Sequence, residues 1–474
     1  LKSTVVWLAL GALSCVGGGP AAWLAPKPAY AWQSAAATID PKEFGLDLPA
    51  GAIKPAKGAV QTVDERGQPV IARQHVLVGD SAIVMLPDGQ LVARRSNQIS
   101  PSERPFAGAD REKLAEDLTE RQFPGFKSRV TRHYIFVYNT SDEFAFGTSR
   151  ILETMLPGVT EYCRQFKLDV SDPQVPLVVV MFRTEEEFQR YRRMPEGVVA
   201  YYHTLNNRVF MYEQSRLARV RPDLAIQQSI STIAHEGAHQ VLHNIGVQQR
   251  LSMWPMWLSE GMAEFLAPTA TGAKLRWKGV GQINDLRMFE LEQYIKSRSA
   301  GKPDGQMIDQ TVMAARLSST GYASAWSLVH YLAKMKRPEF QKYLQEVSRL
   351  GPLETAGEAQ RPGIVRENRA LFSKHFGEDS AEIETRLIAY LKKQPYLDPF
   401  KDLPHFVAVV QLSEGKKPRR EVNTFHSRTM ATEWVSQMLE KAGPAVRDSS
   451  PPRIQQFPNR ATAEGFARQV LQQK

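Results

Sequence analysis

A chain of 474 residues with 42% hydrophobic content has the apolar material for a large core and for more than one domain, which excludes a disordered chain. The 60 Lys and Arg residues outweigh 50 Asp and Glu, for a formal net charge of +10, which favours anionic surfaces. Yet the basic clusters at 190–193, 216–221 and 416–420 carry no nucleic-acid motif, so solvated faces are the plainer reading and nucleic acid is not an expected partner.

At the N-terminus Lys2 precedes an apolar run over 5–16, and the small-residue pattern Ala29-Tyr30-Ala31 follows. This reads as a secretory signal peptide over 1–31, hence an exported protein of the periplasm, envelope or extracellular space. Gly17 to Pro20 and the prolines at 26 and 28 interrupt the run short of a membrane span, and no other long apolar run occurs, so no transmembrane segment is expected in the mature chain. Cys15 sits in a poor match to a lipoprotein cleavage site; with only Cys163 besides it, no disulfide framework can be drawn.

Residues 32–57, rich in Ala, Pro and Gly, read as a linker. Over 58–105, short alternating apolar runs are broken by Gly67, Gly79-Asp80 and Asp88-Gly89, which predicts a small β module of four or five strands. A partner-binding barrel and a spacer are both open as its role. The main domain, 106–398, starts with a strand over 133–139, a helix through Ile151, Leu152, Met155, Val159 and Phe166, and a strand over 175–182. Strands over 197–203 and 208–212, joined by Thr204-Leu205-Asn206-Asn207, then form a hairpin leading into a helical half. The fold class is α+β, closing with a small α/β module over 399–474.

The chemistry concentrates between Ala234 and Leu266. A helix opens near Pro222-Asp223 and has a stop at Gly246. Ile226, Ile230, Ile233, Gly237 and Val241 share one face, and His235 and His239 fall nearly opposite. At a spacing of four residues the two histidine Cβ atoms lie about 5–6 Å apart, so both rings can reach one ion. Glu236 is offset beside them, where a carboxylate can take a proton from water acidified by that ion. A second helix between Pro255 and Pro268 carries Glu260 and Glu264, again four residues apart; Glu260 can complete a two-His, one-carboxylate site and Glu264 can orient a ligand histidine. Gly261 suits a close approach of the two helices. His243 lies two turns from His235, about 12 Å along the axis, and reads as structural.

His-Glu-x-x-His at 235–239 followed by Trp-Leu-Ser-Glu-Gly-x-Ala-Glu-Phe at 257–265 resembles the gluzincin zinc metallopeptidases, and among them the peptidase MA-like family of bacterial proteins, over residues 130–395. The resemblance implies a zincin-like domain, Zn2+ as cofactor and a peptide or protein substrate. His235, His239 and Glu260 match the zinc ligands, Glu236 the catalytic acid/base and Glu264 the acid behind them. The hairpin resembles the edge strand on which such enzymes lay an extended substrate. Gly321-Tyr322-Ala323-Ser324-Ala325-Trp326 resembles the Tyr-containing helix that follows the zinc site. Tyr322 is then either an oxyanion donor or a tyrosine packed at a helix start. The Gly-x-Met-Glu-Asn element of gluzincin aminopeptidases is absent, so exopeptidase action is not expected; an endopeptidase is the expected activity, with a hydrolase of some other amide still open.

In the last module Phe425, Arg428, Ala431, Trp434 and Leu439 recur at one offset as Phe457, Arg460, Ala463, Phe466 and Leu471. This strand-then-helix repeat resembles the sporulation-related repeat domain, which implies binding to cell-wall glycan; a cap with no ligand is the alternative. The rival for the whole chain is an inactive peptidase-fold scaffold in the envelope that binds glycan or a protein partner.

Overall fold

The computed structural model describes residues 37–49, 51–195, 197–214, 222–271, 275–298, 303–356, 361–414, 417–442 and 451–472. The expected signal peptide with Cys15, and the basic cluster 216–221, lie outside them. The fold is mixed α+β, in two compact units. One comprises the chain up to 282 with 309–319 and 329–378; the other comprises 283–308, 320–328 and 379–474.

The first unit opens with β1 (Ala37–Thr38), which pairs antiparallel with Glu354–Thr355 far down the chain. A six-stranded antiparallel sheet follows: β2 (Ile53–Pro55), β3 (Ala59–Val63), β4 (Pro69–Val78), β5 (Ser81–Met85), β6 (Leu91–Arg95) and β7 (Ser100–Pro101), in the order β6-β5-β4-β3-β7 with β2 on β4. It does not close into a barrel. Six strands stand where four or five were expected, because β2 and β7 are too short to carry an alternation of their own. Val76, Val78, Ile83, Met85 and Leu91 pack with Phe44 and Leu46 from the stretch before the sheet and with Leu251 and Leu353 from beyond it. A sheet this small buries too little surface alone, and its core is completed by distant parts of the chain.

Then come α1 (Arg111–Asp117), β8 (Lys127–Val130), β9 (Tyr134–Tyr138), α2 (Asp142–Gln165), β10 (Leu177–Thr184), α3 (Glu185–Tyr191), β11 (Ala200–His203) and β12 (Arg208–Gln214). The five strands form one sheet in the order β11-β12-β10-β9-β8. β10 runs parallel to both β9 and β12, and every residue of β9 is buried, as a covered inner strand requires. α2 starts at Ser141, whose Oγ accepts from Phe144 N, and α3 at Thr184, whose side chain accepts from Glu187 N. Among the described residues β11 pairs only with β12 and forms an edge of the sheet.

α4 (Pro222–Asn244) packs on α2, β11 and β12, and α5 (Met256–Leu266) packs on α4. Gly246, at φ +84°, follows the end of α4, and Pro255 and Pro268 bracket α5 as expected. The short hairpin β13 (Thr269–Thr271) and β14 (Leu275–Trp277) lies on α2, with Trp277 Nε1 donating to Leu266 O at 2.8 Å. The remaining helices are α6 (Asp285–Ser297), α7 (Gln306–Val312), α8 (Ser319–Met335) and α9 (Arg337–Val347); after the strand β15 (Glu354–Thr355) come α10 (Arg361–Phe376) and α11 (Ser380–Leu391). Among the described residues no helix is long and apolar enough to cross a membrane.

The second unit ends in β16 (His405–Glu414), β17 (Lys417–Phe425), α12 (Arg428–Ala442), β18 (Arg453–Phe457) and α13 (Arg460–Gln472), with β16 central and both neighbours antiparallel to it. The repeat seen in the sequence is real in space: Phe425 packs on Trp434 and Phe457 on Phe466, with ring centres 5.8 and 4.9 Å apart, and Ala431 and Ala463 are both fully buried. Phe425 pairs with Phe406 but Phe457 pairs with His405, and successive residues of a strand point to opposite sides. α12 and α13 therefore cover opposite faces of the sheet. Arg460 ties the module to α6, with Nη2 2.7 Å from Glu292 Oε1 and Nη1 2.7 Å from Asp398 Oδ2.

Candidate metal centre

α4 and α5 meet with one helix contributing His235, Glu236 and His239 and the other Glu260 and Glu264. All five are buried to 2% exposure or less, although charged and polar groups are rarely so enclosed without partners. The close approach behind them is made by Gly237, where a Cβ would come within 2.3 Å of Leu152 Cδ2 on α2. The apolar face of α4 read from the sequence is buried as well, with Ile230, Ile233 and Val241 at 1% or below.

Three potential ligand atoms converge. His235 Nε2 lies 3.1 Å from Glu260 Oε2, His239 Nε2 lies 3.6 Å from the same oxygen, and the two Nε2 atoms are 3.2 Å apart. A tetrahedron with bonds of about 2.0–2.1 Å has edges of about 3.3 Å, so the triangle is already the size of one face of a tetrahedral site. Glu260 Oε1 is buried with no hydrogen-bond partner among the described residues, an orphan that a cation in this triangle would satisfy. Glu264 Oε1 stands 3.1 Å from His235 Nδ1, which fixes the ring so that Nε2 faces the triangle.

Glu236 lies outside the triangle. Its Oε2 accepts from the Tyr202 backbone N–H at 2.7 Å, while Oε1 is buried without a hydrogen-bond partner among the described residues. Burial pushes this carboxyl up to about 7, against the lowering pull of His235 and His239. Burial acts the same way on Glu260, but the charges and hydrogen bonds of His239 and His235 outweigh it and hold the carboxyl at about 2. For His235 burial favours the neutral ring, and Glu264 and Glu260 overcome that to raise it to about 10. Two carboxyls on neighbouring helices, Glu236 and Glu260, are thus shifted in opposite directions: Glu260 is fit to bind a cation and Glu236 to carry a proton near neutral pH.

His243 donates through Nδ1 to Gln248 O at 3.0 Å and stacks on Tyr202 with ring centres 5.5 Å apart, outside the triangle. Tyr322 belongs to the second unit, where it is buried and the Arg287 guanidinium sits 5.3 Å from its ring centre. Sequence reasoning did not reach Tyr202, whose contribution is a backbone amide, or the polar group beneath it. There Gln240 Nε2 donates to Asn207 O at 2.8 Å, Asn244 Nδ2 donates to Asn207 Oδ1 at 2.7 Å, and the Tyr202 hydroxyl donates to the same oxygen at 2.8 Å. Gln240 and Asn244 continue the i, i+4 pattern of polar residues on α4, and that spacing is the one signal in the sequence that could have found them.

The fold and site thus define a mixed α+β chain with a buried His-His-Glu cluster able to hold a metal ion. The family model described as "Protein of unknown function (DUF1570)" matches residues 229–354, a stretch that holds all five site residues. No curated protein matches the chain.

Proposed function

We propose that the chain is a zinc-dependent peptidase of the gluzincin kind that cleaves within peptide chains. The observation that carries this reading is the triangle of His235 Nε2, His239 Nε2 and Glu260 Oε2 with edges of 3.1–3.6 Å, flanked by a separate buried carboxyl, Glu236. Two imidazole nitrogens and one carboxylate oxygen at tetrahedral spacing suit zinc best among common divalent ions. When bound there, zinc supplies the Lewis acidity that polarises a peptide carbonyl and makes water acidic near neutral pH.

The chain's own residues supply the rest. Glu236 is oriented through Oε2 by the Tyr202 amide, which leaves Oε1 to take a proton from the attacking water and return it to the leaving amine. Glu264 keeps the His235 ring turned so that Nε2 stays a ligand. The edge strand β11, beside α4, offers backbone groups for an extended substrate. Replacing Glu236 by Gln removes the proton carrier and keeps the shape. The variant should retain zinc and lose hydrolysis of a fluorogenic casein by about 10²–10⁴-fold; undiminished cleavage would contradict the mechanism.

A further inference from the structure

The 204–207 turn between β11 and β12 is held from its far side by the N-terminal six-stranded sheet, and Arg250 is the joint. Its buried guanidinium donates from Nη1 to Gly89 O at 2.7 Å, from Nη2 to Leu205 O at 2.8 Å and from Nε to Thr204 O at 2.9 Å. Its backbone carbonyl accepts from His75 Nε2 of β4 at 2.8 Å. The turn between β5 and β6 completes the grip. Leu91 N donates to Leu205 O at 2.7 Å, and Gly89, at φ +88°, leaves the space for Asn207, whose Nδ2 would lie only 3.1 Å from a Cβ there.

Asn207 is the residue to which Tyr202 and Asn244 are bound, and the Tyr202 amide is the group that holds Glu236 Oε2. Moving the turn would leave the buried Arg250 side chain and the part-buried Thr204 and Leu205 carbonyls without these partners, so its position is set by the sheet behind it. We propose that the N-terminal sheet is a brace for the reaction: through the positioning residue Arg250 it holds the Tyr202 amide against Glu236, so that turnover needs the brace and metal binding does not. The effect on turnover rests on the peptidase reading, and the effect on the strand rests on the contacts alone.

The test uses the full chain with Arg250→Met and, separately, Gly89→Ala. Amide hydrogen exchange over 198–206 should become about tenfold faster in both, while exchange over 228–244 in α4 and zinc content stay at the parent's values. On fluorogenic casein kcat should fall about tenfold with KM within about twofold, the pattern of a displaced catalytic group rather than lost binding. Unchanged exchange over 198–206, or equal acceleration through α4, would overturn the brace. Unchanged kcat with a freed turn would do the same. A parent that never cleaves casein contradicts the peptidase reading, and the exchange data then still decide whether the sheet holds the strand.

Discussion

Glu264 shows how much of this cluster depends on a residue outside the His235–His239–Glu260 triangle. At 3.1 Å from His235 Nδ1 it selects which nitrogen of the ring faces His239 and Glu260. Glu264→Ala should weaken zinc binding by about 10–100-fold while leaving the three ligands in place, measured by competition with a chelator of known affinity. An unchanged affinity would remove this residue from the support of the site. At this scale the sequence was informative wherever chemistry follows helical spacing. His235 with His239 and Glu260 with Glu264 each sit four residues apart, and one turn of helix brings each pair to one side. Tyr202 and Arg250 were illegible for the opposite reason. The first acts through a main-chain N–H that any residue would provide, and the second acts through contacts to carbonyls 46 and 161 positions away.

At the level of elements, the decisive contact is the crossing of α2 and α4. Gly237 stands between His235 and His239 and lets Leu152 pack directly on the helix backbone. Gly237→Ala should cost about 1–3 kcal/mol through overpacking, read as a lower urea midpoint at unchanged m-value; a neutral substitution would show that Leu152 can move aside. The strands and helices of the site region were legible because apolar periodicity and helix boundaries agree there: Pro255 and Pro268 do bracket α5. The end strands β2 and β7 were not, since two or three residues carry no period. In the C-terminal module the repeat itself could be read from Phe425 and Phe457. That their helices cover opposite faces depends on a one-residue offset in register along β16, which sequence does not reveal. With both faces covered, a glycan would meet helices or strand edges there rather than an open sheet.

For the whole molecule, buried and half-buried histidines away from the His235–His239–Glu260 cluster set the response to acid. Burial lowers His75 to about 3 and His203, His330 and His426 to about 4, against an ordinary value of 6.5. Between those values and 6.5 the unfolded chain binds more protons than the folded one. Their contribution to stability is therefore complete above pH 6.5 and is lost as pH falls towards 4. Thermal midpoints should decline steadily over that window, and a flat profile would contradict the burial of these rings as neutral groups. The central claim concerns the metal, and one measurement addresses it most directly: zinc content of the purified chain by elemental analysis, beside the His239→Ala variant. About one zinc per chain in the parent and little in the variant is the predicted result, because the variant loses one of three ligands. No zinc in the parent after zinc has been supplied, or equal zinc in both, would contradict it.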